Sequence, residues 1–187
     1  MRIVAGRHRG RKLAAPAGAT TTRPTAERMR QALFDMLWHA PWAGRAAVEG
    51  QAVLDAFAGT GALGLEALSR GAASASFIEQ DRAALAALRA NIAACREDAA
   101  ATVLAADATR PPRAKAPCAL VFLDPPYGKD LVPRALAALG AAGWIAPGAL
   151  VCAEVGREEE PSLPGFELLA ERVHGAARVL VLRAPKD

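Results

Sequence analysis

From residue 51 onward, short apolar runs alternate with Ala/Leu-rich stretches of helical spacing, and this alternation limits the chain to one class of architecture. AVLDAF (52–57), ASASFIE (73–79), ATVLAAD (101–107), ALVFLD (119–124) and ALVCAEV (149–155) read as buried strands. Between them, ALGLEALSR (62–70), closed by Gly71, the Ala/Leu run 81–97 and residues 130–140 read as helices, with Asp81 placed to cap the second. Strands alternating with helices imply parallel βαβ units in an open sheet with helices on its faces. FELLAERV (166–173) and ARVLVLR (177–183) flank His174-Gly175 and predict a closing antiparallel hairpin. Upstream, Thr25 is expected to cap a helix reaching His39, with Met29, Leu33, Met36 and Leu37 on one face and Pro41 ending it. The expected fold is therefore α/β, a mostly parallel seven-stranded sheet with an antiparallel C-terminal edge hairpin.

The segment ahead of that sheet is strongly basic. The first thirty residues hold eight Lys/Arg against one acid, Glu27, while the remainder carries 15 basic and 18 acidic residues. A localised positive arm on a near-neutral body points to a polyanion, and a phosphate backbone is the usual one. Arg2-Ile3-Val4-Ala5 and Arg11-Lys12-Leu13-Ala14 resemble short strands around Gly6 and Gly10, a basic N-terminal β-hairpin. At 187 residues one core is expected, divided here as the arm (1–22) and the sheet domain (23–187). No apolar run nears the roughly 20 residues a membrane span requires. The three cysteines, Cys95, Cys118 and Cys152, match no metal or redox spacing. Reduced thiols, a cytoplasmic monomer and no metal are the expectations.

Residues 55–64 read DAFAGTGALG. Gly59, Gly61 and Gly64 satisfy G-x-G-x-x-G between a strand and a helix, and Glu79 ends the next strand about twenty residues on. That is the spacing of a dinucleotide site, where glycines admit a ligand closely and the acid binds a ribose. The same glycines also suit a tight turn that serves only packing. Asp55, ahead of the loop, can accept hydrogen bonds from an ammonium group, which NAD does not offer there and the methionine part of S-adenosylmethionine does. Asp55 with Phe57 and the AGTG that follows resembles the first motif of class I methyltransferases. In that resemblance Glu79 serves the ribose hydroxyls, and Asp107-Ala108 the adenine.

DPPY (124–127) halts an apolar run with an acid, two prolines and a ring. It resembles the D/N/S-P-P-Y/F/W motif of methyltransferases that modify amino groups on planar systems. An exocyclic base amine has its lone pair delocalised into the ring and is a poor nucleophile. Asp124 can accept one N–H and the Pro125 carbonyl the other, polarising the nitrogen towards sp³ character. Pro125 and Pro126 fix that carbonyl without a competing N–H. Tyr127 can stack on a flipped base, which is worth about 1–3 kcal/mol.

MRIVAGRHRGRKL, TRPTAERMRQALFDML, DAFAGTGALGLEALSRGA, IEQD and FLDPPYGK together resemble the RsmD-type 16S rRNA (guanine-N2)-methyltransferases. The resemblance implies a Rossmann-like class I domain and S-adenosylmethionine as cofactor. It implies methylation of one guanine N2 amine in 16S rRNA of a largely assembled small ribosomal subunit. By the same resemblance Arg2, Arg7, Arg9, Arg11 and Lys12 grip rRNA, while Arg23, Thr25 and Arg28 line the cofactor and substrate side of the cleft. One departure is His174-Gly175, where relatives tend to carry an aromatic before the glycine. An N6-adenine DNA methyltransferase shares DPPY but generally needs a target-recognition domain that 187 residues do not hold. A glutamine methyltransferase usually carries Asn at position 124, and a nicotinamide oxidoreductase leaves DPPY unexplained. A non-catalytic rRNA-binding assembly factor would have no use for Asp55, Glu79 and DPPY together.

Overall fold

The computed structural model describes residues 1–16 and 24–187, with side chains in the first helix from residue 26 onward. Helix α1 (Pro24–His39) is followed by a short 3-10 turn (Arg45–Ala47), β1 (Ala52–Asp55), α2 (Ala62–Ser69), β2 (Ser74–Glu79) and α3 (Arg82–Cys95). Then come β3 (Ala101–Ala105), β4 (Cys118–Leu123), α4 (Leu131–Ala141), β5 (Ile145–Gly156), β6 (Glu167–His174) and β7 (Ala177–Arg183). The seven strands form one sheet in the order β3-β2-β1-β4-β5-β7-β6. β1 to β5 are parallel; β7 runs antiparallel to both β5 and β6, so the expected hairpin inserts its second strand beside β5 and leaves β6 at the edge. The chain folds as a Rossmann-like, doubly wound domain.

The continuous apolar runs follow from burial on both faces. Successive side chains point to opposite sides, so Val53, Phe77, Phe122 and Cys152 pack into one core while Leu54, Ile78, Val121 and Val151 pack into the other. α1, α2 and α3 contribute Leu37, Leu65, Leu68 and Leu88 to the first; α4 contributes Val132, Leu136 and Leu139 to the second. Gly64 sets the approach of α2 to the sheet: a Cβ there would lie 2.3 Å from the Phe77 ring.

Two expectations are revised and one falls outside the described residues. α1 begins at Pro24, so Thr25 lies inside its first turn instead of capping it, a start that suits proline, whose missing N–H is unpaired there in any case. Arg23 and the Thr25 side chain, expected at the cleft, fall outside the described residues. β5 begins at Ile145, four residues before the expected start: a register shift opposite Cys118–Leu120 lets Pro147 and Gly148, a turn pair on paper, sit inside the strand.

The N-terminal arm forms a hairpin, but it has only a single antiparallel bridge, Arg2 to Lys12, in place of two strands. Its donors have another destination: the Val4 and Ala5 N–H groups bond the Glu66 carboxylate at 2.9 and 3.0 Å. Ile3 and Leu13 are buried in the domain core. Gly6 lies so close to α2 that a Cβ would fall 1.9 Å from the Ser69 carbonyl oxygen. Asn91 of α3 bonds both the N–H and the carbonyl of Ala14 and donates to the Thr60 carbonyl at 2.9 Å, joining the arm to the glycine loop. All three cysteines are free and buried. Among the described residues no helix is long and apolar enough to cross a membrane.

Candidate active site

The strand order reverses between β1 and β4, and the carboxyl ends of such strands border the crevice where doubly wound sheets bind ligands. β1 ends at Asp55, the residue after β4 is Asp124, and β5 carries Glu154 near its end. A cavity of about 610 Å³ opens there, lined by Asp55, Phe57, Gly59, Asp124, Tyr127 and Glu154, with Met1, Met29 and Arg30 closing one side.

Asp55 is buried. One oxygen accepts the Gly64 N–H at 3.0 Å, which ties β1 to the first turn of α2; the other, Oδ1, is buried with no partner among the described residues. Burial pushes its carboxyl up to about 8, the Gly64 N–H pulling the other way and Asp124 and Glu79 adding to the rise. A cationic ligand group would relieve this cost. Gly59, which lines the same cavity as Asp55, has φ +54° with nothing within 4 Å of a Cβ position, so the loop leaves open space there. Glu79 closes the loop from below, accepting Gly59 N–H on one oxygen and Gln80 and Asp81 N–H on the other, each at 2.8 Å. Asp81 caps α3 through Ala84 N–H as expected.

Asp124 opens to the cavity, yet protein surrounds it closely enough that desolvation, then the nearby Glu154 charge, raises its carboxyl to about 7. Tyr127 is 42% exposed, and its hydroxyl donates to Glu154 Oε1, which holds the ring at the cavity mouth. Burial and Glu154 both raise the phenol above its usual range. Pro125 is buried and Pro126 exposed; the two face a smaller cavity of about 200 Å³ on the other side of the motif. Gly128 N–H and Gly156 N–H both donate to Glu159, fastening the segment after DPPY to the end of β5.

Other expected residues lie apart from this cavity. Asp107 accepts the N–H and hydroxyl of Thr109, each at 2.8 Å, and these bonds lower its carboxyl below the ordinary range. It caps a turn, with buried Ala108 beside it, and neither residue lines the cavity. Gly61 likewise packs against Leu88 and not against the cavity. Arg28 is exposed and does not line the cavity; Arg30, two residues on, does. In the arm, Arg2 pairs with Glu27 at 3.2 Å and Arg7 with Glu97 at 2.5 Å, so both anchor the arm to the domain. Arg9, Arg11 and Lys12 are exposed and form no ion pair among the described residues.

Sequence reasoning missed Glu154, Arg30 and Met1. The signal for Glu154 was an acid inside the apolar run ALVCAEV. It also left His174-Gly175 without a place, and the β6–β7 turn proves to form a wall of the main cavity.

Comparison with known proteins agrees with this geometry. The family model described as "Conserved hypothetical protein 95" matches residues 1–183. Ribosomal RNA small subunit methyltransferase D of Escherichia coli strain K12 is 40% identical over 179 residues, spanning 94% of this chain and 85% of that protein. The Haemophilus influenzae protein of the same name is 33% identical over 180 residues, 94% of this chain and 89% of its own length. The solved structure of yhhF from Escherichia coli superposes with a TM-score of 0.84 at 35% identity, covering 100% of this chain and 99% of that one. With DPPY, the glycine loop and the basic arm all inside the matched span, the chain belongs to the RsmD family of ribosomal RNA small subunit methyltransferases.

Proposed function

We propose that this protein transfers a methyl group from S-adenosylmethionine to the exocyclic N2 amine of one guanine in 16S rRNA of the small ribosomal subunit. One observation carries the reading: Asp124 and Tyr127 share a single cavity with Asp55 and the glycine loop, at the switch point of the sheet. The unpartnered Asp55 Oδ1 and the open space at Gly59 suit a ligand with a cationic amino-acid end laid against the loop. Asp55, Phe57 and Gly59 would hold it, with Glu79, which does not line the cavity, fixing the loop through the Gly59 N–H, and when bound it supplies a sulfonium methyl that is electrophilic without further activation.

The protein's own task is positioning. The Asp124 carboxylate accepts one N–H of the guanine amine and the Pro125 carbonyl the other. Both bonds draw the nitrogen lone pair out of conjugation, and Pro126 keeps the carbonyl aimed. Tyr127 stacks on the extruded base. As the N–C bond forms and the methyl's bond to sulfur breaks, leaving a neutral thioether, the nitrogen becomes acidic and its proton would pass to the Asp124 carboxylate. Once ionised, Asp124 is a stronger proton acceptor than an ordinary surface carboxylate, because crowding by protein and then by Glu154 raises its carboxyl. Arg9, Arg11 and Lys12, exposed on the hairpin, supply sequence-independent contacts to the rRNA backbone, and a cytoplasmic monomer is sufficient for that arrangement.

Incubation with methyl-labelled S-adenosylmethionine and, in parallel, undermethylated small subunits, naked rRNA, duplex DNA and a release factor tests the reading. Label recovered as N2-methylguanosine from the small subunit is expected; label confined to DNA or protein overturns it. The arm makes a separate prediction. Replacing Arg9 and Arg11 with Ala together should flatten the dependence of log affinity on log salt by roughly one per arginine. An unchanged slope in a binding titration across 50–200 mM salt would remove the arm from the interface.

A further inference from the structure

The cavity holds one more acid than methyl transfer to an amine requires. β4 and β5 run parallel with Leu123 beside Ala153, so the next residues, Asp124 and Glu154, emerge side by side at the carboxyl edge of the sheet. Both line the cavity, as does buried Asp55 with its unpartnered oxygen. Tyr127 occupies Glu154 Oε1, and Oε2 accepts from no donor among the described residues.

The neighbour carries a penalty. The Glu154 charge works against ionisation of Asp124, the acceptor the amine needs. A neutral residue at 154 would leave more of Asp124 ionised at neutral pH, so the acid calls for a second role. The chemistry of purine edges supplies one. Guanine presents its N2 amine next to N1–H, two adjacent donors. Adenine presents its N6 amine next to N1, which is a lone pair. Asp124 and the Pro125 carbonyl can hold either amine, and so cannot tell the bases apart. A second carboxylate beside them accepts guanine N1–H and repels the adenine N1 lone pair.

We propose that Glu154 is the residue that selects guanine, its free oxygen accepting N1–H while Asp124 holds the N2 amine. This rests on the guanine reading given above. Tyr127 serves the same end: its hydroxyl fixes the Glu154 carboxylate and leaves the second oxygen facing the base.

The contact is probed with 2-aminopurine, which keeps the 2-amine but has a bare lone pair at N1 and no O6, and the Glu154→Gln comparison separates the N1 difference from the O6 one. The methylated guanine is first mapped with the wild-type enzyme on undermethylated small subunits. Subunits are then reconstituted with guanine or 2-aminopurine at that position, and kcat/KM is compared. The wild type should prefer guanine by roughly 10- to 100-fold, the range of one good base-edge contact. In Glu154→Gln the preference should fall to within about threefold. Part of that fall should be a gain on 2-aminopurine, because an amide can turn its NH2 towards the lone pair. Loss of structure cannot produce such a gain. Undiminished preference in Glu154→Gln overturns the assignment and leaves the guanine reading standing. Tyr127→Phe keeps the ring and frees the Glu154 carboxylate, so it should lose part of the preference; a variant that keeps all of it overturns the positioning role given to the hydroxyl. A wild type that labels no guanine overturns both.

Discussion

Asp124→Ala should lower kcat for methyl transfer by roughly 10²- to 10⁴-fold, the range spanned by one positioned acid–base group, while cofactor affinity stays within about threefold. The expectation follows from where Asp124 sits. It follows β4 two residues after Phe122, the partner of Asp55, and lines the cavity without bonding Asp55 or the glycine loop, so its loss deprives the amine of an acceptor and removes no hydrogen bond from that loop. Asp124→Asn keeps one acceptor oxygen and should retain more activity than Ala. Cofactor titration and single-turnover labelling separate the two effects, and a collapse of cofactor affinity with turnover preserved would show the role to be misassigned. The pH profile gives a second readout. The Asp124 carboxyl is raised to about 7, by desolvation first and Glu154 second, so at lower pH it is protonated, keeps only a neutral carbonyl acceptor and cannot take the amine proton. The single-turnover rate should climb between pH 6 and 8 and level off above, and Asp124→Asn should be flat across that window. A wild-type profile already level at pH 6 would mean that Asp124 is not the titrating group.

How much of this was readable in the chain depended on how local each cause is. The strands of the parallel sheet are buried on both faces, so their apolar runs are visible without knowing their neighbours, and Val121, Phe122 and Leu123 needed no context. Asp55 and DPPY were legible for a similar reason, since each breaks such a run at its end. Glu154 was not, because its meaning lies in the pairing of Leu123 with Ala153, a register no short window contains. The arm was half legible. A hairpin of two short strands was expected, and a single bridge, Arg2 to Lys12, forms; that reading gives Val4 and Ala5 to a ladder, and a fully buried carboxylate on α2 takes them instead. Charge alone also overstated the arm's free surface: Arg2 and Arg7 meet Glu27 and Glu97, partners 25 and 90 residues away in sequence. Asp107 is the reverse case, an acid near a strand end whose hydrogen bonds turn out to be local.

That buried carboxylate carries the other large effect, and it concerns stability. Glu66 is 0% exposed and accepts four donors: Val4 and Ala5 N–H from the arm, Arg30 Nε of α1 at 3.2 Å and Arg70 Nε at 2.9 Å. Arg30 in turn donates to the Arg2 carbonyl at 2.5 Å, and Arg70 stacks over the Phe34 ring at 4.7 Å. Glu66→Ala would leave two buried guanidinium groups without their anion and two arm N–H groups without an acceptor. Breaking a buried ion pair from one side costs about 3–5 kcal/mol. At about 2–4 °C per kcal/mol for a domain of this size, Tm should fall by roughly 10 °C. Glu66→Gln should fare little better, because its amide offers a donor where four donors already point. The loss should also free the arm: with Val4 and Ala5 released, Arg9 and Arg11 would no longer be held against the body, and affinity for rRNA should drop even at temperatures where the domain stays folded. Denaturant titration beside RNA binding at 20 °C checks both halves. A change below about 1 kcal/mol would mean that water replaces the carboxylate, and that Ile3 and Leu13, buried beneath the hairpin, hold the arm by apolar contact alone.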